Sequence, residues 1–419
     1  MPVSASEQRW SRPADARLAA AAALVALAVF GTAWALLHRG FYKRDQIVDT
    51  PVYQRYGDAM LDGKVPYRDF RVEYPPAALP VFLLPAIGDG HDEQSYRRAF
   101  ERVMVVCGLL AIVGVALALA AVQAEPERLF ATLTFAALAP LALGSVILTR
   151  FDLWPTALAV LGLSAVLAAR ERLGLGVLGL ATAAKVFPGV VAPLAVAYVW
   201  RRRGRRDALA CAAVFAGVVL VCFLPFLVLS PGGVLDSLHR QADRPLQIES
   251  LGSSFLLIAH QLWGYGIHLD LSHGSQNQGG SLPDALAAIQ SAVQVVAVVG
   301  LWIAFARGPA TPERLVRYSA ATVAAFIAFG KVLSPQFLIW LLPLVPLVRG
   351  RRGVAASAVL ATALVLTQLW FPYHYWDLAL RLEERASWLV LARDLVLVGL
   401  VAVLAWPQPQ RQAPPGIRP

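Results

Sequence analysis

What most limits how this chain can fold is a recurrence: apolar stretches return from one end to the other, separated by short polar joints. A helical crossing of a bilayer takes about 20 apolar residues. Runs of that kind lie at 18–37, 103–122, 129–148, 153–169, 208–229, 285–306, 315–330, 336–348, 354–371 and 388–406. With 58% of its residues hydrophobic and 15% charged, a chain of 419 residues has too few charges to coat a soluble core. The sequence therefore reads as an all-α, polytopic membrane protein.

The formal charge of +10 invites a nucleic-acid reading, but the arginines stand in short clusters at the ends of apolar runs, at 201–206 and 349–352. That placement is topological, because short cytoplasmic loops carry the excess of Lys and Arg. The stretch 173–200 is too long for one crossing and short for two. A single crossing would put the 201–206 cluster outside; two short helices meeting at Lys185 and Pro188 keep it inside. About 12 spans follow, with both ends cytoplasmic. The predicted layout is a cytoplasmic segment at 1–17, one transmembrane domain at 18–406 and a cytoplasmic tail at 407–419. A long first outer loop covers 38–102 and a second large one 230–283. The mixed opening sequence reads as leading into a retained first span, not a cleaved signal. The apolar piece 77–88 is short and carries Pro80 and Pro85, which predicts a helix lying in the outer interface. Cys107, Cys211 and Cys222 fall inside apolar runs, so no disulfide framework or metal spacing is expected.

The most polar joint, 49–76, combines Asp49, Asp58, Asp62, Asp69 and Glu73 with Arg55, Arg68 and Arg71, interleaved with five aromatic residues. Such a loop on an apolar scaffold is a candidate site for chemistry at the water boundary. The arginine parity then gathers Asp49, Glu73, Arg150, Asp152, Lys185, Arg244, Glu249, Lys331, Gln336 and His374 on the same outer face. Each also has a plainer reading. Asp49 and Asp152 can cap helices, Glu73 can pair with Arg71, and Lys185 and Lys331 can anchor helix ends. Gln336 can open a helix, and His374 can sit in an aromatic belt. His239, His260, His268 and His273 show no zinc-like spacing, so 229–283 is expected to be a mobile loop covering an acceptor, with 272–280 flexible.

Several short motifs carry a resemblance: Asp49 with Tyr53, Gly63 with Tyr67, EYPP at 73–76, RFD at 150–152, KVFP at 185–188 and KVLSPQFLIWLLPL from Lys331. In order and sidedness the chain resembles the GT-C superfamily of integral membrane glycosyltransferases. It is most similar to the actinobacterial polyprenyl-phosphate-mannose-dependent alpha-mannosyltransferases, glycosyltransferase family 87. The resemblance implies a GT-C fold and an inverting transfer of a hexose, mannose foremost, from a polyprenyl phosphate to a lipid-linked or glycan acceptor. It implies Asp49 as general base, with Glu73 and Asp152 as further catalytic carboxylates. It makes Tyr53, Tyr67, Arg150, Lys185, Arg244, Glu249, Lys331, Gln336 and His374 candidates for substrate contact. Glu73 is the candidate ligand for a divalent cation; no cofactor is otherwise implied.

The requirements of such a transfer fit these residue types. A base must meet the attacking hydroxyl, cations must surround the departing phosphate, and a groove must take the donor's lipid tail. Phosphate leaves readily, so one carboxylate suffices as base. A multi-span transporter or lipid flippase shares the span count, although no repeated halves are evident and the charges gather at one boundary. A non-catalytic envelope scaffold needs no acidic first loop of this kind.

Overall fold

The computed structural model describes residues 14–88 and 90–406. The tail at 407–419 thus lies outside the described residues, as does the amino-terminal segment except for residues 14–17. The architecture is almost wholly helical. Six helices are long and apolar enough to cross a membrane: Ala16–Leu36, Glu93–Ala121, Arg205–Leu229, Ser281–Arg307, Gly350–Trp370 and Glu384–Ala405. Shorter apolar helices pack among them, and one continuous apolar core runs from Ala22 to Leu404. The chain is a multi-pass membrane protein.

The helices Leu153–Leu167 and Glu171–Ala184 form an antiparallel hairpin whose axes approach closely at Gly162 and Gly174. A methyl group added at Gly174 would stand 2.7 Å from the Gly162 carbonyl oxygen, so small residues are what let the two backbones meet. The hairpin brings Asp152, just before its first helix, beside Lys185, just after its second. At Lys185 the backbone turns extended, Pro188 enters a short 3-10 turn at Phe187–Val190, and a new helix runs Ala192–Arg203. The two-helix reading of 173–200 therefore holds.

Two expectations give way. The run 336–348 is not an α-helical span; it passes through the core as a 3-10 segment, Pro335–Leu341, followed by turns. Pro335, Pro343 and Pro346 remove the donors a helix needs. Neighbouring side chains satisfy carbonyls the helix would have used: Thr132 donates to Pro346 O at 2.9 Å and Arg128 to Leu347 O at 2.5 Å.

The stretch 229–283 is folded rather than a mobile cover. A helix Pro231–Ala242, strand β1 Leu246–Gln247, a helix Leu251–Trp263, and strands β2 His268–Ser272 and β3 Ser275–Gly279 fill it. The antiparallel order is β1-β3-β2, so the segment expected to be flexible is the central strand. Its Asn277 and Gln278 are fully buried. His273 and Gly274 both have positive φ, the geometry of a tight two-residue hairpin turn.

The piece 77–88 holds the short helix expected there. Leu79–Ala86 forms a short helix whose Val81 and Phe82 are buried in the core.

The helix ends separate chemically. At one end the basic clusters are tied to neighbours: Arg349 to Glu125, Arg203 to Glu171 at 3.1 Å, and Arg172 to Asp207 at 3.5 Å. Ala14 and Ala124 meet there too, through a 3.0 Å backbone bond, and Arg201 reaches Ala306 O at 2.9 Å. At the opposite ends of the same helices stand Asp152, Lys185 and Lys331. Because the Gly162–Gly174 contact sets this hairpin, Gly174→Ala should lower thermal stability in detergent by about 1–3 kcal/mol, the usual cost of overpacking. Gly217→Ala, whose added methyl meets nothing within 4 Å, should leave the unfolding temperature unchanged or raise it.

Candidate active site

Asp49 precedes the helix Thr50–Leu61, whose Pro51 suits a first turn, yet its side chain caps nothing. It is instead ion-paired through Oδ1 to the Arg150 guanidinium, which is buried. The other oxygen, Oδ2, lies 3.4 Å from the Tyr53 hydroxyl. Tyr53 is held by stacking on Phe82 at 4.5 Å and by the edge of Phe151 at 5.8 Å. Burial pulls the Arg150 pKa down to about 10, with Asp152 and Glu249 opposing, so the guanidinium remains charged at neutral pH.

Asp152 is buried, and it too caps no helix. Its Oδ1 accepts from Lys185 Nζ at 2.6 Å and from Trp340 Nε1 at 2.6 Å. The Lys185 ammonium also lies over the rings of Phe151, Trp340 and Phe337, at 4.6, 5.3 and 5.4 Å. Trp340 is fixed between Phe187 at 4.1 Å and Phe337 at 4.3 Å. Burial lowers the Lys185 pKa while Asp152 works against that shift. Neither lysine is a simple helix-end anchor: Lys331 donates to Ala242 O at 2.7 Å, and its own carbonyl accepts from Gln247 N at 3.0 Å.

The sheet supplies the facing wall. Arg244 donates through Nη2 to Ser275 Oγ at 3.1 Å and to His273 O at 3.2 Å, and its Nε is buried with no protein partner. Glu249 follows β1 and is buried. Desolvation raises its pKa to about 8 against the pull of Arg393 and Arg150, so its carboxyl is predominantly neutral at pH 7. Gln247, also buried, leaves its Oε1 without a protein partner.

The polar groups described above, Arg393 apart, line one cavity of about 550 Å³. Glu73, exposed, and Tyr67 border it from the first loop, and Gln336 from the far side. Tyr67 donates to Tyr74 O at 2.5 Å, which shapes the turn into the two prolines. Apolar walls come from Val186, Phe223, Phe326 and Phe337. The ionisable groups named here are four cations, Arg150, Lys185, Arg244 and Lys331, and four carboxylates, Asp49, Glu73, Asp152 and Glu249. With Glu249 protonated the balance is four against three, one net positive charge. That excess suits an anion such as a phosphate.

The sequence-nominated residues converge here except His374. His374 is partly exposed, bonds to Asp377 Oδ2 at 3.1 Å and does not border the cavity, because the turn before the helix Tyr375–Arg381 aims its neighbours Tyr375 and Trp376 inward. The alternative pairing of Glu73 with Arg71 is absent among the described residues; Glu73 O accepts from Gln241 instead, at 3.0 Å. Sequence reading missed Gln241, Gln247, Gln276 and Gln294, four amides on the cavity wall, together with Trp340. Only Trp340 carried a signal, by lying within the motif that begins at Lys331. Among the described residues no three His, Cys, Asp or Glu side chains gather to hold an ion.

Comparison with curated proteins finds no match. The family description "Glycosyltransferase family 87" matches residues 73–335. That span holds Glu73, Arg150, Asp152, Lys185, Arg244, Glu249 and Lys331, while Asp49, Gln336 and Tyr375 lie outside it. Since the match covers well over half of the chain, this multi-pass membrane protein belongs to glycosyltransferase family 87 and is a glycosyltransferase.

Proposed function

We propose that this protein transfers a hexose, mannose foremost, from a polyprenyl-phosphate donor to a lipid-linked or glycan acceptor, with inversion at the anomeric carbon. The observation that carries the reading is the convergence of Asp49 with four cations in one cavity. Asp49 is the base. Arg150 holds its Oδ1, leaving Oδ2 to take the proton as the acceptor oxygen attacks. The bond from the anomeric carbon to the phosphate oxygen breaks on the opposite face, and its electron pair leaves with the polyprenyl phosphate. One such displacement inverts the centre.

The departing phosphate is met by Lys185, Arg244 and Lys331. Asp152 and Trp340 keep Lys185 aimed by fixing the carboxylate it rests on. Glu73, Gln336, Tyr53 and Tyr67 contact sugar or acceptor from the rim. The apolar walls at Val186 and Phe223 receive the first units of the lipid tail. No step is routed through a metal.

Read by the positive-inside rule, the arginine clusters support a cytoplasmic face at their own end, so that the cavity would open on the extracytoplasmic side of a cell membrane with both termini inside. About 12 crossings satisfy that parity. They include the shorter helices and the proline-broken run 336–348, which crosses while buried in protein, where irregular backbone is tolerated.

Asp49→Asn should reduce transfer by about 100-fold or more with the unfolding temperature nearly unchanged; retained turnover would remove Asp49 as base. Binding of farnesyl phosphate, followed by calorimetry, should weaken as pH rises past about 8, where Glu249 ionises and repels the ligand. Burial also lowers the Lys185 pKa, so the discriminating variant is Glu249→Gln, in which the weakening near pH 8 should disappear. For sidedness, Cys107, Cys211 and Cys222 are first replaced by Ser. A cysteine at exposed Asp270 should then react with an impermeant maleimide on intact cells, whereas one at exposed Arg206 should react only after lysis. The reverse pattern would invert the topology.

A further inference from the structure

We propose that Arg393, in the interior of the last long helix, is a positioning residue that sets the location and charge state of Glu249 in the wall of the phosphate pocket. The inference rests on the reading of Glu249 given above. Arg393 lies outside the residues matched by the family and no motif drew attention to it.

The geometry is specific. Arg393 and Asp394 are side by side in the helix Glu384–Ala405, both fully buried, with Nε 2.6 Å from Oδ1. The guanidinium lies 5.7 Å from the centre of the Trp370 ring, and its Nη2 donates to the Glu249 carbonyl oxygen at 2.8 Å. Asp394 stands near Ser254, whose hydroxyl donates to Leu251 O at 2.8 Å, on the helix that starts immediately after Glu249 and Ser250. Arg393 thus holds the chain at Glu249 from beneath, and Asp394 holds Arg393. A buried pair in an otherwise apolar helix is expensive, and apolar residues of the same size are often as stable or more so. Intramembrane charges of this kind mark functional positions by default.

Among the described residues, charged or titratable groups from four elements act on Glu249. Arg393 and Asp394 come from the last helix, Arg150 from the turn before Leu153–Leu167, Arg244 from its own segment and Tyr375 from the helix Tyr375–Arg381. Of these, Arg393 most strongly favours the ionised carboxylate, and desolvation outweighs it. The pair therefore fixes where the carboxyl sits and how far its pKa rises.

The test is farnesyl phosphate binding to the purified full-length chain across the range either side of pH about 8, beside thermal unfolding. Arg393→Gln should weaken binding by about tenfold or more, the scale on which a displaced positioning group acts, and should move the alkaline weakening to higher pH. Because a lone Asp394 would be left buried, the double variant Arg393→Gln with Asp394→Asn serves as the folded control. It should keep the unfolding temperature and still bind weakly. Arg393→Lys should retain the pH midpoint through its charge but not the affinity, lacking the fork that reaches the carbonyl. Wild-type affinity and midpoint in the double variant would make the pair merely structural and overturn the proposal. Alkaline weakening that persists in Glu249→Gln would instead remove the reading of Glu249 on which the proposal stands.

Discussion

Concentrating four cations in a half-enclosed cavity between apolar helices costs several kcal/mol of desolvation per ion unless each finds an oxygen. The protein meets that demand differently for each. Arg150 has the Asp49 carboxylate, and Lys185 has Asp152 and three aromatic faces. Lys331 and Arg244 have only neutral oxygens, at Ala242, His273 and Ser275. The first two each rest on a carboxylate, whereas the last two, with neutral partners only, supply the larger share of the cavity's attraction for an anion. Glu249, kept neutral by burial, withholds the charge that would cancel it. The cavity is therefore a partly unbalanced electrostatic site, which the donor's phosphate would complete under the proposed reaction.

The scaffold delivers these groups by interrupting helices. Lys185 stands where Glu171–Ala184 ends ahead of Pro188, Lys331 where Pro312–Ala328 ends ahead of Pro335, and Glu73 just before Pro75 and Pro76. A proline near a helix terminus stops the helix and frees the backbone to turn a side chain inward. In a bilayer such breaks survive only where protein covers them, and the walls of the cavity provide that cover. The same rule explains the buried 3-10 segment after Ser334, whose carbonyls are held by Thr132 and Arg128. Chemistry and backbone irregularity are located together because both need shelter from lipid.

The segment 244–280 adds a second element, a small polar sheet built into a helical protein. Its amides, at Gln247 and Gln276, contribute neutral donors and acceptors to the cavity wall. Such groups suit sugar hydroxyls, which present both roles at once. The last helix holds this wall from below through Arg393, so cavity geometry depends on contacts separated by more than a hundred residues.

Much of this was legible in the residues alone, for a local reason. Apolar run length specifies helices that cross a bilayer, arginine clusters specify which helix ends belong together, and prolines specify where a run must break. Those signals alone assign Asp49, Arg150, Asp152, Lys185, Arg244 and Lys331 to one end. Pairing is not local. That Arg150 meets Asp49 while Lys185 meets Asp152, and that His374 turns away while Tyr375 turns in, depends on packing among elements distant in sequence. The strand at 275–279 was hidden because its polar residues have the composition of a loop, and they are buried only because β1 and β2 flank it. Sequence by itself determined the membrane class and the end at which polar groups collect, since both follow from short-range hydropathy and charge. Only tertiary structure decided which charges neutralise each other and which remain available to a ligand, because that is settled by distances between side chains the chain order leaves unspecified.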